Sequence, residues 1–281
     1  MSQDLYRGKV VIVTGASTGI GRSLALQLAN QGAKVVIAAR RAQKLEEVAA
    51  ACRDRGSEVL VVPTDVSDDS QCKVLVEKTV AAFGGLDMLV NNAGLAVVAR
   101  LEDYANLDLF RHTMNVNFFG AVHCSYYALP YLKQSRGRIV AVSSLGGKTP
   151  APYNSAYVSS KFAMQGFFDS LRIELQRHGV SVTIICPSWV VTNFHEAQMD
   201  KQGVPIGPRG SAIYTKDMMS ADRCAELILK AAYKRKRELL MGYAAMVCWL
   251  KLIAPGLLDR FIVAFLKAAL KRGQVDLAQV N

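Results

Sequence analysis

The stretch Thr14-Gly-Ala-Ser-Thr-Gly-Ile-Gly21 decides the fold of this chain. It follows an apolar run at residues 9–13 and opens a segment, residues 21–30, with apolar residues at helical spacing. A glycine-rich turn between a strand and a helix suits a pyrophosphate, because backbone N–H groups and the positive end of the helix dipole meet there. We therefore predict a nucleotide-binding βαβ unit, in which these turn residues contact the nucleotide: Gly15, Ser17, Thr18, Gly19, Ile20 and Gly21.

Short apolar runs alternate with longer segments of helical periodicity along the rest of the chain. We predict seven strands rich in Val, Ile and Leu, at residues 9–13, 34–39, 58–63, 88–91, 138–143, 181–186 and 238–242. Because parallel strands are joined by crossover helices, the alternation predicts an α/β fold, a doubly wound parallel sheet with helices on both faces. Although the chain has 281 residues, we expect one domain.

Composition and charge narrow the classes of partner. The chain is 51% hydrophobic and 20% charged, which is typical of a globular core. The formal net charge of +11 suits a phosphate cofactor, an anionic lipid or a nucleic acid. Since no nucleic-acid motif accompanies the charge, a solvated basic surface is favoured and no nucleic-acid partner is expected.

The cysteines, the histidines and the N-terminus argue against disulfides, a metal site and a signal peptide. Six cysteines stand singly without a CxxC pair and four histidines share no metal-ligand spacing, so we expect no disulfide framework and no metal site. The first eight residues lack the apolar region of a signal peptide or anchor. We therefore expect a cytoplasmic protein.

The end of the second predicted strand indicates which nucleotide is bound. NAD is held there by an acidic residue on its ribose hydroxyls, whereas the 2′-phosphate of NADP needs positive charge. The strand ends in Ala39-Arg40-Arg41, and two guanidiniums can pair with a phosphate. NADP(H) is favoured over NAD(H); the alternative is that both arginines merely solvate a helix start.

Tyr157 and Lys161 form a pair suited to proton transfer. They are four residues apart on a segment of helical character, so both side chains project from one face. A free phenol has a pKa near ~10, and a neighbouring ammonium lowers it by stabilising the phenolate. We expect Tyr157 to act as the acid/base and Lys161 to lower its pKa.

Together these motifs resemble the short-chain dehydrogenase/reductase family in order and spacing. The resemblance is carried by Thr14-Gly-x-x-x-Gly-x-Gly21, Asp65-Val66, Asn91-Asn-Ala-Gly94, Asn117, Ser144 and Tyr157-x-x-x-Lys161. It covers roughly residues 8–243 and implies a Rossmann-type, NADP-binding catalytic domain over residues 1–243. Residues 244–281 then form a C-terminal helical extension of the same domain.

The resemblance also implies roles for the catalytic residues. Tyr157 donates a proton to the oxygen of a carbonyl while hydride reaches its carbon, and Ser144 hydrogen-bonds the same oxygen. Lys161 also holds the nicotinamide ribose, and Asn117 carries a proton-relay water. Ser143 has the same chemistry as Ser144, but the separation from Tyr157 favours Ser144.

Further residues would contact the cofactor by the same resemblance. Asp65 and Val66 lie against the adenine, although Asp65 is alternatively a helix N-cap. The segments after the fourth and sixth strands contribute Asn91, Ala93, Gly94, Pro187, Val190 and Thr192, with Thr192 directed at the carboxamide. Ser188 stands where the family has glycine, so its β-carbon is expected to disturb the backbone beside the nicotinamide.

The C-terminal extension leaves two interpretations of equal weight. Its apolar intervals, residues 243–252 and 261–270, are shorter than the ~20 residues that span a bilayer. On a helical projection, one face is apolar and the other basic, which predicts an amphipathic helix. The apolar face comprises Phe261, Ile262, Phe265, Leu266, Ala269 and Leu270, and the basic face comprises Arg260, Lys267 and Lys271. Such a helix packs on a subunit or over the pocket, or it lies in a membrane interface.

The leading functional prediction is NADP(H)-dependent interconversion of a ketone and a secondary alcohol on a hydrophobic, steroid-, retinoid- or lipid-like substrate. The tail bears a weaker resemblance to hydroxysteroid-dehydrogenase-like members. We expect a homo-oligomer, peripheral membrane contact, and a substrate lid at residues 202–210, which are rich in Gly and Pro. The alternatives are a 3-oxoacyl carrier-protein or CoA reductase and a non-catalytic NADP-sensing protein.

Overall fold

A computed structural model describes residues 5–208 and 218–271, with residues 269–271 described by their backbone alone. Seven parallel strands form the central sheet: β1 (Val10–Thr14), β2 (Lys34–Ala39), β3 (Val59–Pro63), β4 (Met88–Asn91), β5 (Arg138–Val142), β6 (Ser181–Cys186) and β9 (Glu238–Leu240). Their order is β3-β2-β1-β4-β5-β6-β9. The predicted doubly wound parallel sheet is confirmed.

A second, two-stranded parallel sheet was not predicted. It pairs β7 (Val190–Val191) with β8 (Met219–Ser220). Strands of two residues carry no detectable alternation of polar and apolar side chains, so their pattern gives no signal. The last strand of the main sheet is shorter than the predicted residues 238–242, because Gly242 has a φ of 61° and turns the chain away.

Helices cover both faces of the sheet. Their bounds are α1 (Gly19–Asn30), α2 (Ala42–Arg53), α3 (Asp69–Phe83), α4 (Asp108–Met114), α5 (Gly120–Gln134), α6 (Ser155–Glu174), α7 (Ala221–Tyr233), α8 (Ala244–Ile253) and α9 (Pro255–Lys271). A π-helical segment, Asn115–Phe119, joins α4 to α5. Pro255 occupies the first position of α9, where its missing N–H costs no hydrogen bond.

Two apolar cores follow from the alternation of side chains along the buried strands. Val11 and Val13 of β1 point to one face, where they pack with α1, α2 and α7. Val10 and Ile12 point to the other, where they pack with α3, α5 and α6. Helices cover both faces of the inner strands, which explains why strands such as β1 and β5 read as nearly continuous apolar runs.

The chain order reverses between β1 and β4, which are neighbours in the sheet. Loops that leave neighbouring strands in opposite directions at such a point open a crevice at the carboxyl ends of the strands. The glycine-rich turn follows β1, and the segments that carry the other predicted site residues follow β4, β5 and β6. The fold therefore brings these segments to one edge of the sheet.

The C-terminal extension packs against the domain through few residues. Ala244 and Leu258 are buried, whereas many large apolar side chains of α8 and α9 are exposed. Within the described residues, no helix combines the length and apolar character needed to cross a membrane. The amphipathic helix predicted near residue 261 lies within α9, and the side chains of Ala269, Leu270 and Lys271 are outside the described set.

Candidate active site

One large cleft of about 2760 Å³ runs along the carboxyl ends of the strands. Its walls include the glycine-rich turn, the ends of β2, β4, β5 and β6, and the start of α6. Most of the predicted site residues line it: Gly15, Ser17, Thr18, Gly19, Ile20, Arg40, Arg41, Asp65, Val66, Ala93, Gly94, Ser144, Tyr157, Lys161, Pro187, Val190 and Thr192. Gly21, Asn91 and Asn117 lie behind these walls, as described below.

The glycine-rich turn forms a cradle that side chains would fill. Gly15 has a φ of 64°, and a β-carbon on it would lie 2.8 Å from the Cα of Ala93. A β-carbon on Gly21 would overlap the carbonyl oxygen of Gly15. Thr18, the N-cap of α1, makes no side-chain cap hydrogen bond in the described structure, and the first turn carries no acidic residue. The N-terminus of α1 therefore fits a pyrophosphate.

Thr14 and Asn92 lock the glycine-rich turn to the end of β4. The Thr14 Oγ1 accepts hydrogen bonds from the backbone N–H groups of Asn92 (3.0 Å) and Ala93 (3.1 Å). The Asn92 Nδ2 donates to the carbonyl oxygen of Thr14 at 2.9 Å. Asn91 points the other way, since its Nδ2 donates to Ser125 on α5 at 3.0 Å. The sequence pattern predicts Asn91 as a cofactor contact, whereas the residue that reaches the glycine-rich turn is Asn92, the next residue of the same motif.

Two arginines stand at the nucleotide end of the cleft. The Arg41 Nη2 donates to the Ser17 Oγ at 3.3 Å, which places a guanidinium over the glycine-rich turn. Arg40 is exposed, and its charge acts on Asp65. Burial alone would raise the pKa of Asp65, but hydrogen bonds from Ser67 and the charge of Arg40 bring that pKa below its usual range.

Asp65 is not a helix N-cap, which was the alternative to a contact with the adenine. Its Oδ1 accepts from the backbone N–H and the hydroxyl of Ser67, at 3.0 and 2.7 Å. The N-cap of α3 is Asp68, whose side chain accepts from the first turn of that helix. The Asp65 carboxylate thus shapes the loop that carries Val66 into the cleft wall.

Ser144 and Tyr157 meet at the centre of the cleft. The backbone N–H of Gly146 donates to the Ser144 Oγ at 3.0 Å and holds that hydroxyl in place. Burial raises the pKa of Tyr157, while a hydrogen bond with the Ser144 side chain lowers it less strongly. The expected lowering of this pKa is therefore corrected, because the desolvation of the phenolate outweighs the stabilisation it receives from other residues of the chain.

Ser143 differs from Ser144 in its surroundings. Its Oγ donates to the carbonyl oxygen of Lys161 at 3.3 Å and accepts from the Gln165 Nε2 at 3.2 Å. Ser143 therefore ties β5 to α6, while Ser144 is the hydroxyl that contacts Tyr157.

Lys161 lies on α6, and its buried ammonium reaches the last residue of β5. Its Nζ donates to the main-chain oxygen of Val142 at 2.9 Å and lies 5.6 Å from the centroid of the Tyr157 ring. Burial lowers the pKa of Lys161 to about 8. The geometry places a positive charge beside the aromatic ring, in a position that a hydrogen bond fixes.

Asn117 lies in the π-helical segment Asn115–Phe119 and is fully buried. Its Oδ1 accepts from the Leu95 N–H at 2.8 Å, and its Nδ2 donates to the Leu95 carbonyl at 2.9 Å and to the Ser160 hydroxyl at 2.9 Å. Single π-turns are frequent at functional sites. The Asn117 side chain fixes the backbone of Leu95, a cleft residue, rather than facing the cleft itself.

An aromatic group borders the substrate side of the cleft. The Phe194 ring lies 5.9 Å from the Tyr157 ring, and His195 stacks on Trp189 at 5.2 Å. Burial lowers the pKa of His195 to about 4, so its imidazole is neutral at physiological pH. Trp189 and Phe194 were not predicted as site residues, although Trp189 lies between Pro187 and Val190 and Phe194 follows two residues after Thr192.

Backbone hydrogen bonds fasten the loops above the substrate side. Val98 donates to the Met199 carbonyl at 2.8 Å, and Met199 donates to the Ala96 carbonyl at 3.0 Å. Ala99 donates to the carbonyl of Tyr153 at 2.8 Å. The predicted lid at residues 202–210 continues from this fastened segment, and its last two residues lie outside the described part of the chain.

The C-terminal extension completes the apolar end of the cleft. Side chains from both of its helices form this wall, among them Met246, Val247, Leu250, Ile253, Phe261 and Phe265. Of the two interpretations of the extension, this packing matches a cover over the pocket. The exposed apolar side chains of the same helices leave the other interpretation open.

Comparison with known proteins identifies the family. The profile described as short chain dehydrogenase matches residues 9–203. The "11-beta-hydroxysteroid dehydrogenase A" of Sesamum indicum is 37% identical over 263 residues, which cover 92% of this chain and 75% of that protein. These matches extend well beyond the glycine-rich turn.

Solved structures agree with the fold. A short chain dehydrogenase/reductase from Burkholderia phymatum in complex with NAD has a TM-score of 0.81 and 26% identity, covering 92% of this chain and 96% of its own. An alcohol dehydrogenase from the archaeon Thermococcus sibiricus, complexed with 5-hydroxy-NADP, has a TM-score of 0.71 and 29% identity, covering 83% and 95%. Since the family profile matches well over half of the residues, this chain belongs to the short-chain dehydrogenase/reductase family of oxidoreductases.

Proposed function

We propose that this protein interconverts a ketone and a secondary alcohol with NADP(H) as cofactor. The observation that carries the proposal is the contact between the Ser144 and Tyr157 side chains on the cleft wall, with the Lys161 ammonium beside the Tyr157 ring. A protonated phenol that can donate, a second hydroxyl and a fixed cation suit the protonation of a carbonyl oxygen.

The chain's own residues supply the proton chemistry. Because burial raises the pKa of Tyr157, the phenol is protonated at neutral pH and can donate to a carbonyl oxygen. Ser144, held by the Gly146 N–H, stabilises the charge that develops on that oxygen, and Lys161 stabilises the phenolate left behind. A bound nicotinamide cofactor would supply or accept the hydride at the carbon; the oxidation reverses the proton transfer.

The preference for NADP(H) rests on charge at the end of β2. Arg41 reaches over the glycine-rich turn to Ser17, Arg40 follows β2 directly, and Lys44 also lines this part of the cleft. Guanidiniums pair well with a phosphate and poorly with the uncharged ribose edge of NAD. Relatives of known structure are complexed with NAD or with an NADP analogue, so family membership alone does not choose.

The proposed substrate is hydrophobic, of steroid-, retinoid- or lipid-like size. Support comes from the apolar wall that α8 and α9 add to the cleft, and from the similarity to a protein named as a hydroxysteroid dehydrogenase. A small polar carbonyl would leave this wall in contact with water.

Peripheral membrane contact through the extension is part of the same proposal. Leu252 of α8 is 78% exposed, and Leu257 and Val263 of α9 are also exposed, all three outside the lining of the cleft. Between residues 244 and 271 the charged residues are Lys251, Asp259, Arg260, Lys267 and Lys271, which gives an excess of positive charge. Exposed apolar side chains with basic neighbours suit an anionic lipid surface.

We also propose that the protein forms a homo-oligomer. Tyr126 on α5 and Ile173 on α6 are exposed apolar side chains away from the extension, at 67% and 63% exposure. Surfaces of this kind often pack against a second subunit. Sedimentation of the full chain measures the state directly.

The deciding experiment measures NADPH oxidation with a panel of apolar ketones and 3-oxoacyl thioesters. We expect the parent to turn over apolar ketones. In Tyr157→Phe, the rate of this turnover should fall by a factor on the order of 10² to 10⁴. Tyr153→Phe removes a hydroxyl from another tyrosine of the cleft wall and serves as the matched control.

Other outcomes would support the alternatives. Turnover of the thioesters alone would indicate a carrier-protein or CoA reductase, and cofactor binding without any turnover would indicate a nucleotide sensor. Unchanged turnover in Tyr157→Phe would contradict the mechanism.

A further inference from the structure

Lys251 is the only charged residue of α8, whose sequence is Ala-Ala-Met-Val-Cys-Trp-Leu-Lys-Leu-Ile. On a partly exposed helix, a lysine ordinarily extends its ammonium into water. Lys251 instead reaches inward, where its Nζ donates to the main-chain oxygen of Lys148 at 2.7 Å. The same Nζ lies 4.5 Å from the centroid of the Phe162 ring, within cation–π distance.

Both contacts of Lys251 belong to segments that carry catalytic residues. Lys148 directly follows the short helical turn Leu145–Gly147, which begins after Ser144. Phe162 directly follows Lys161 on α6. One ammonium therefore joins the C-terminal extension to both segments.

Lys148 is itself held in place from the other side. Its ammonium pairs with the Glu238 carboxylate of β9 at 2.6 Å, and this pair is about three-quarters buried. The main-chain oxygen that Lys251 contacts thus belongs to a residue whose side chain is fixed to the central sheet. This makes Lys148 a firm attachment point for α8.

Other attachments of the extension are apolar or lie near the helix ends. Ala244 begins α8 and is buried, and Leu258 is buried in the first turn of α9. Between them, Val247 and Leu250 line the substrate end of the cleft. Lys251 directly follows Leu250 on α8, so its ammonium is attached next to this part of the wall.

We propose that Lys251 is a positioning and specificity-determining residue, which holds α8 on the catalytic core and so forms the apolar wall that large substrates contact. This inference rests on the proposed function, because it assumes that the cleft binds a carbonyl substrate. A small ketone that reaches only Ser144 and Tyr157 gains nothing from this wall. A large apolar ketone depends on it.

The test compares two carbonyl substrates in the full-length protein with NADPH: cyclohexanone and a four-ring apolar ketone. Lys251→Met keeps most of the side-chain length but removes the charge and the donor. We expect it to lower kcat/KM for the four-ring ketone relative to cyclohexanone by about tenfold, mostly through KM. Lys251→Arg retains a donor and a cation that can lie over the Phe162 ring, and should restore the ratio to within about twofold of the parent.

Lys267→Met is the matched control, because it removes an exposed lysine from α9 of the same extension. Amide hydrogen exchange of the full chain gives a readout that does not depend on turnover. We expect Lys251→Met to speed exchange in α8 and to leave α5 unchanged, and Lys267→Met to do neither.

The outcomes separate the two proposals. If the parent reduces no ketone, the proposed function fails, while the exchange of α8 still decides whether Lys251 holds the helix. If Lys251→Met loses activity equally on both ketones, or if exchange in α8 stays at the parental rate, the role given to Lys251 is overturned.

Discussion

The hydroxyl of Ser188 fills the space in front of Gly242: a β-carbon on Gly242 would lie 2.5 Å from the Ser188 Oγ. Ser188 stands where the family motif has glycine, and its β-carbon was expected to disturb the backbone beside the nicotinamide. The side chain is accommodated against Gly242 instead, at the turn that leads into the C-terminal extension. The position that is glycine in the family motif is serine here, and glycine at position 242 leaves the space that this serine side chain needs.

Replacing Gly242 should destabilise the protein through two separable effects. Gly242→Ala places a side chain at a φ of 61°, which costs about 1–2 kcal/mol, and adds the overlap with Ser188. Ser188→Gly alone should change stability little. In the double variant the overlap disappears, so urea unfolding should show a loss smaller than the sum of the two single variants. Strict additivity would contradict the contact.

The buried amide of Asn117 should be required for stability as well as for activity. Asn117→Ala removes three hydrogen bonds, two to the part-buried N–H and carbonyl of Leu95 and one to the buried Ser160 hydroxyl, and each contributes about 0.5–1.5 kcal/mol. We expect a loss of about 2–4 kcal/mol in unfolding free energy, with reduced turnover because Leu95 lines the cleft. Asn115→Ala, at an exposed position of the same π-helical segment, is the matched control and should stay near the parent.

The sheet and the glycine-rich turn could be predicted because each leaves a pattern in the local sequence. Buried parallel strands such as β1 and β2 are nearly continuous apolar runs, and the glycines of the turn are required by backbone contacts such as that between Gly15 and Ala93. Contacts between residues far apart in the sequence leave no such pattern. Residue spacing therefore predicts neither the hydrogen bond between Asn92 and Thr14 nor the packing of Ser188 against Gly242.

The pKa of Tyr157 shows the same limit. Four-residue spacing placed Lys161 next to Tyr157, and the ammonium does lie beside the ring. Burial, however, depends on the whole fold, and it moves the pKa of Tyr157 up and that of Lys161 down. The sign of the shift on Tyr157 could not be read from the pair alone.

The buried Lys161 ammonium should destabilise the folded protein at neutral pH, and this effect should decrease as the pH rises. Burial lowers its pKa from 10.5 to about 8, so the folded state holds this proton less tightly than the unfolded state. Stability therefore rises with pH between about 8 and 10.5. Relative to Lys161→Met, the parent should gain about 2 kcal/mol of unfolding free energy between pH 7 and pH 9.5, as measured by urea unfolding. A difference that is flat with pH would contradict a buried ammonium.

Arg41 should determine the choice between the two nicotinamide cofactors. Arg41→Ala removes the guanidinium that reaches over the glycine-rich turn to Ser17. The ratio of kcat/KM for NADPH over NADH should fall by about 10- to 100-fold, since hydrogen bonds to charged groups are worth about 1.5–3 kcal/mol. Arg53→Ala, an exposed arginine at the far end of α2, is the control. Equal efficiency with both cofactors in the parent would remove the role given to Arg40 and Arg41.

The exposed apolar face of the extension should bind anionic vesicles. Leu252 is 78% exposed on α8, and burying a leucine side chain contributes about 1.5–3 kcal/mol. In flotation with vesicles of phosphatidylserine and phosphatidylcholine at low salt, we expect the parent to float and Leu252→Glu to bind at least about tenfold more weakly. Raising the salt to about 0.5 M should weaken binding, because the basic side chains are then screened.

Val74→Glu is the matched control for vesicle binding, because Val74 is 41% exposed on α3, outside both the extension and the surface proposed for a second subunit. It should float like the parent if the extension makes the contact. Parent protein that stays at the bottom of the gradient would assign the exposed face to a second subunit. In that case Leu252→Glu should shift the sedimentation of the full chain towards a smaller species, since a buried carboxylate opposes the packing of apolar surfaces.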